Sequence, residues 1–188
     1  MYFHASQTGG IAQMEPRISN HGIPLIYFSK KRENVLVYLS NAIEKYCKET
    51  GFSYNGIWKK WGPYGFDENG ILQIEEYYPD AIRSTYKGVS GYIYSVENII
   101  CSDCQLNIPD AATTGIPVSV EGAEFVPDKY EAILLAEKEK RIKIVRYDDL
   151  TNKKRKWIRK TIKDEYDSSA DCPEYKYFLR GRFPDIIA

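Results

Sequence analysis

Hydrophobic and polar positions change period several times along the chain, and each change marks an element. The most regular stretch is 31–49. Val35, Leu36, Leu39, Ala42, Ile43 and Tyr46 recur there at three- and four-residue intervals, which predicts one amphipathic helix. Lys31, Arg32, Lys45 and Lys48 sit mainly off the stripe, Tyr38 lies near the face opposite Leu36, and Gly51 is a natural stop. Two short apolar runs precede it, 2–6 and 23–29. They read as strands on either side of a loop punctuated by Gly9, Gly10, Pro16, Asn20 and Gly22.

After the helix, 52–75 reads as a twisted hairpin turning at Asp67-Glu68-Asn69-Gly70. A helix is predicted over 76–87, beginning near Pro79, with Tyr78, Ile82 and Tyr86 on one side. Residues 89–97 alternate as a strand: Tyr92, Tyr94 and Val96 one way, Ile93 and Ser95 the other. A loop over 98–116 leads to a strand at 117–126, where Gly122 predicts a bulge or a close approach. A helix over 127–141 starts at Pro127-Asp128, and 142–147 returns to strand. Residues 148–164 form a strongly basic helix with Asp148 or Asp149 as its cap, and the aromatics after Cys172 fold back onto the body.

Strands interleaved with helices in this way predict an α+β fold: a split, twisted, mainly antiparallel sheet with flanking helices. At 188 residues the chain reads as a single domain, 1–188, with a core over 1–147 and the basic helix and aromatic tail of 148–188 packed on it. A formal net charge of zero argues against a broadly basic nucleic-acid binder but leaves room for a local patch. No apolar run approaches ~18 residues, so no membrane partner is expected. The opening residues carry no positively charged and apolar leader, and the expected location is the cytoplasm. Tyrosine is abundant, 16 against 7 Phe and 3 Trp, and suits both a sheet and a binding surface. Cys101 and Cys104 form a single C-x-x-C without a second pair, and the chain has two histidines, His4 and His21, so no metal site is expected.

Candidate chemistry gathers in the first 46 residues. His4 sits on the first strand, Tyr27 and Ser29 end the second, and Arg17 and Asn20 stand in the loop between them, where a ligand phosphate or ribose can be met. Glu124, Glu121 and Glu97 are carboxylates on or near later strands. Each has a plain reading beside the functional one: a lone strand histidine or tyrosine also serves as a packing residue, and a strand carboxylate commonly faces solvent.

The runs Phe3-His4-Ala5-Ser6, Glu15-Pro16-Arg17-Ile18-Ser19-Asn20 and Ile26-Tyr27-Phe28-Ser29 resemble the opening of the diphtheria-toxin-like ADP-ribosyltransferases, nearest to the rifampin ADP-ribosyltransferases. The resemblance covers about a quarter of the chain, and Ala5 stands where that family usually has glycine. It implies NAD as substrate and transfer of ADP-ribose to an acceptor (protein, nucleic acid or small molecule), or NAD hydrolysis. It implies that His4 holds the ribose, Tyr27 stacks on nicotinamide, and Glu124, or Glu121 second, stabilises the cation. Asp103 fits the position some relatives use instead. His4, Ala5, Ser6, Arg17, Asn20, Tyr27 and Ser29 would line the NAD site. The alternative from another class is a non-catalytic protein that uses a tyrosine-rich cleft and the basic helix to hold nucleic acid or a protein.

Overall fold

The computed structural model describes residues 1–18, 22–102 and 106–187. In chain order its strands are β1 (Tyr2–Ser6), β2 (Gln13–Met14), β3 (Arg17–Ile18), β4 (Pro24–Ser29), β5 (Tyr64–Phe66), β6 (Leu72–Glu75), β7 (Gly91–Val96), β8 (Ala111–Thr114), β9 (Val118–Ser119), β10 (Gly122–Val126) and β11 (Ile142–Val145). The α-helices are α1 (Ala42–Glu49), α2 (Ala81–Tyr86), α3 (Lys129–Lys138), α4 (Asn152–Ser168) and α5 (Pro173–Arg182), with 3-10 helices at Glu33–Tyr38 and Tyr147–Asp149. This is a mixed α/β fold with a twisted, largely antiparallel sheet and flanking helices.

The chain divides into two compact units. The first comprises Met1–Leu39, Phe66–Leu72 and Gly88–Ile142; the second comprises Ser40–Gly65, Gln73–Lys87 and Lys143–Ala188.

The first unit is built on a six-stranded sheet in the order β10-β7-β1-β4, with β3 and β8 both paired to β4. β7 is the sheet's spine. It pairs along its length with β1 (Tyr2↔Val96 to Ser6↔Tyr92) and with β10 (Gly122↔Ser95 to Val126↔Gly91). One face packs Ile26, Phe28, Tyr94 and Val96 with Met14 of β2, and the Tyr94 hydroxyl donates to Thr8 O (2.7 Å) and accepts from Ile11 N (3.2 Å). The close approach expected at Gly122 is present: a Cβ there would stand 2.5 Å from Ser95 Oγ. Ser95 O also accepts from Glu121 N (3.1 Å), so two residues of one edge meet one of the other, which is a bulge.

The second unit carries α1, α2, α4, α5 and most of the sheet β11-β6-β5. Its core is Ile43 and Cys47 of α1, Ile158 and Ile162 of α4, and Tyr175, Phe178 and Leu179 of α5, ringed by tryptophans and tyrosines. Glu76 is buried there, with both oxygens used: Oε1 accepts from Ile82 N (3.1 Å) and Oε2 from Tyr147 N (3.2 Å).

Several elements differ from the sequence expectation for identifiable reasons. The helix expected over 31–49 is two. The Asn41 side chain accepts from Ile43 N and Glu44 N and starts α1 afresh, while Glu33–Tyr38, with β-branched Val35 and Val37, is the tighter 3-10 form. Pro79 lies before α2, whose start is preceded by Asp80 at φ +56°. β8 occupies the expected loop over 98–116, and the strand expected over 117–126 is broken into β9 and β10. The cap of the basic helix is Thr151, whose Oγ1 accepts from Lys154 N, rather than Asp148 or Asp149.

Candidate functional site

All residues of the candidate site belong to the first unit. The site forms where the sheet parts. β1 and β4 share the single pair Phe3↔Ser29, after which the rest of β4 pairs with β8 (Ile26↔Thr114 to Ser29↔Ala111) and β3 (Arg17↔Leu25, Ile18↔Pro24). His4 is the next residue of β1 past that pair. Its Nδ1 lies 2.8 Å from Tyr27 O, a bond that bridges the parting strands.

A carbonyl accepts and cannot donate, so this bond fixes the neutral tautomer with hydrogen on Nδ1 and leaves Nε2 as an acceptor. The ring packs against Phe28 with centroids 5.9 Å apart. Burial pushes the His4 pKa below its usual 6.5; the Tyr27 carbonyl opposes that, and the Arg17 charge adds to it. His4 is therefore a neutral, oriented imidazole at neutral pH. It suits accepting a hydroxyl hydrogen and does not suit acting as a cation.

The other expected residues distribute as follows. Strand alternation and register place His4 on the face of Phe28 and Tyr94, whereas Tyr27, Ser29, Ala5 and Glu124 fall on the opposite face with Ile93. His4 meets the main chain of Tyr27, and Tyr27 stands opposite Thr113 of β8. Ser29 is buried and its hydroxyl accepts from Lys31 N (3.1 Å), while Ser6 Oγ accepts from Thr8 N (3.1 Å); both close local turns. Asn20, His21, Asp103 and Cys104 lie outside the described residues.

Glu124 is clasped by Arg32. Nε donates to Oε2 (2.7 Å) and Nη2 to Oε1 (2.5 Å), a two-pronged pair of the kind planar guanidinium favours. That bond holds the Glu124 carboxyl below the usual carboxylate range and raises Arg32 in turn. Glu121 accepts from Glu97 N through Oε2 (3.0 Å), so it supports the bulge beside β10. The structure thus brings His4, the Tyr27 carbonyl and the Arg17 charge together and leaves the carboxylates elsewhere on the sheet.

Two features of the first unit had no sequence signal. Arg32 and Glu124 are 92 residues apart, and charged residues at that distance carry no local pattern. Lys129 stands in the first turn of a helix, where a lysine reads as solvated, yet it is fully buried and its Nζ donates to Val37 O (3.1 Å).

Among the described residues no helix is long and apolar enough to cross a membrane. No family model matches the chain, and no curated protein or solved structure matches it.

Proposed function

We propose that the chain binds NAD where β1 and β4 part and transfers its ADP-ribose to an acceptor, or to water. The observation that carries this reading is the parting itself: a sheet joined across β1 and β4 by one residue pair, with an oriented imidazole immediately past the join. The element order β1, a loop with β2 and β3, β4, then the 3-10 helix supports the reading through the order that the resemblance implies.

In this reading His4 Nε2 accepts a ribose hydroxyl, and Nδ1 keeps the ring in place through Tyr27 O. The Arg17 charge meets phosphate. Because His4 and Tyr27 leave their strands on opposite faces, the ligand lies in the parting, where both faces are within reach. Breaking the nicotinamide–ribose bond builds positive charge on the sugar, which a carboxylate stabilises. Glu124, on β10 two strands away from β1 and held by Arg32, is the carboxylate that the resemblance implies for this role. Ala5 narrows the space beside the nicotinamide amide.

Calorimetry with NAD, with nicotinamide release followed in the same samples, tests the reading. His4→Ala weakens binding by roughly tenfold or more, as loss of a partly buried hydrogen bond predicts. Glu124→Gln keeps binding and stops release. Binding declines as pH falls through the His4 pKa, which burial places below the usual 6.5, since protonation of Nε2 removes the acceptor. Absence of binding at millimolar NAD would sink the proposal.

A further inference from the structure

We propose that the exposed face of α4 holds a single strand of nucleic acid, by lysines on its phosphates and by Trp157 under a base. This inference concerns the second unit and stands apart from NAD.

Four observations carry it. First, Lys153, Lys156 and Lys160 are exposed and share a face of α4 with Trp157. They recur about once per helical turn, so the cations are spaced by ~5 Å along the axis. Lys163 extends the stripe. Second, these lysines form no ion pair among the described residues, whereas Lys154 is engaged with Glu75 (2.7 Å) and Arg155 with Tyr147 O and Asp148 O. The same helix therefore carries a structural set of cations and a free set, and the free set shares one side.

Third, Trp157 is 48% exposed and yet fixed. Tyr77 meets it edge-on (centroids 6.0 Å apart, 88°), and Lys154 Nζ lies 4.5 Å from its ring centre. A ring pinned in this way loses little freedom when a base stacks on it. Fourth, the charge runs against the helix dipole. The first turn has no acidic residue and the last turn no basic one. Lys153, Lys154 and Arg155 crowd the positive end, and Asp164, Glu165 and Asp167 the negative end. This order costs the helix stability. It is repaid when an anion lies along the N-terminal half, where lysines and dipole act together.

A lone tryptophan among lysines offers little apolar area to a bilayer, whose amphipathic ligands bury a broad apolar face. It matches the pairing of cationic track and stacking platform that single strands use.

Anisotropy of a labelled single strand of about twelve nucleotides, as DNA and as RNA, tests this. The parent binds at low salt, and log K falls with log salt at a slope near −2, at about −0.7 per lysine engaged. The combined Lys153→Gln, Lys156→Gln, Lys160→Gln variant loses most of that slope. Trp157→Ala weakens binding roughly 5- to 150-fold, and Trp157→Phe retains most of it. Glutamine preserves helix propensity, so circular dichroism of each variant matches the parent. Failure of the parent to bind, or binding that neither the lysine nor the tryptophan variant alters, overturns the proposal. So does equal binding of duplex with no loss in Trp157→Ala. Capture by phosphatidylserine vesicles with the same residue dependence, and not by the strand, reassigns the face to lipid and overturns it too.

Discussion

The first unit is held by a sheet and by polar side chains that cross between its elements; the second is held by rings. In the first, His4 ties β1 to β4, Arg32 clasps Glu124 of β10, and Lys129 of α3 reaches the end of the 3-10 helix at Val37 O. In the second, Phe178 stands edge-on to Tyr46 (5.7 Å, 84°), Trp61 lies 5.5 Å from Phe178, Phe52 stacks on Tyr177 at 4.4 Å, and cations lie over some of the rings, Arg182 over Tyr46 and Lys176 over Tyr166. The lesson is one of solvent. Burial among the polar ties of the first unit lowers the pKa of two basic groups, His4 and Lys129, while the ion pair raises Arg32. Ring packing desolvates phenols and thiols, so the second carries acids with raised pKa values.

The largest expected effect breaks the second unit. Phe178 is 1% exposed, and Phe178→Ala removes a ring that touches two others, at a cost of about 3–5 kcal/mol. All three tryptophans, Trp58, Trp61 and Trp157, belong to this unit, so tryptophan emission in a urea titration reads it alone. Amide exchange in β1 and β7 reads the first. The expected outcome is an earlier emission midpoint for Phe178→Ala. Coincident loss of β7 protection makes the two units one cooperative body, and retained protection makes them separate.

Alkaline pH sharpens the comparison, because the two units respond with opposite sign. Burial lowers the Lys129 pKa well below 10.5. The unfolded chain then binds more protons than the native one between that lowered value and 10.5, so this group's contribution to stability rises with pH across the window. In the second unit burial raises the Cys47 thiol from 9.0 to about 11 and Tyr77 from 10.0 to about 12. Their contributions are complete below the unfolded values and fall away above pH 9 and pH 10. Between pH 9 and 10.5 the emission midpoint therefore drops while β7 protection free energy does not. Lys129→Met removes the rise in the first unit and at neutral pH changes stability by about 1 kcal/mol or less, since a desolvated amine and its polar contacts leave together. Lys129→Ala, which also leaves a cavity, costs about 2–4 kcal/mol.

The same contrast explains what could be read from the sequence. Periodicity located β1, β4, β7 and α3 to within a few residues; β4 and β7 bury a regular set of side chains, Ile26 and Phe28 or Tyr94 and Val96. It missed β8, whose Ala-Ala-Thr-Thr offers no alternation, and α5, whose Tyr175, Phe178 and Leu179 read as a folded-back tail until the partners on α1 and α4 are known. It merged two helices because Val35 to Tyr46 keeps one stripe across the break at Asn41. At the candidate site the sequence named His4 and Tyr27, and the structure joins the His4 ring to the Tyr27 main chain. The sequence could not supply their faces: a strand's side chains alternate, and which face each takes depends on a register set by β7 and Ser29. The Arg32–Glu124 clasp lay beyond any local pattern for the same reason.

The smallest expected effect leaves stability untouched and reads how tightly the ring-built unit stays closed. Cys47 is fully buried, and its thiol donates to Glu174 O at 3.7 Å. With its pKa pushed up to about 11, almost no thiolate exists at pH 8, and the thiolate is the reactive form. Cys101 is exposed. An aromatic disulfide reagent at pH 8 therefore labels Cys101 at once, and reaches Cys47 only when the second unit opens. Labelling of Cys47 then follows the opening equilibrium, and mass spectrometry of the peptide containing Cys47 measures it. Phe178→Ala accelerates that labelling in proportion to the stability it removes. A loss of about 3 kcal/mol corresponds to roughly a hundredfold. Lys129→Ala, which weakens the first unit, leaves the Cys47 rate unchanged if the units open independently and raises it by a similar factor if they open together. Rapid labelling of Cys47 in the parent would mean that the aromatic core admits solvent far more often than its packing implies, and the contrast between sheet-held and ring-held units would fall with it.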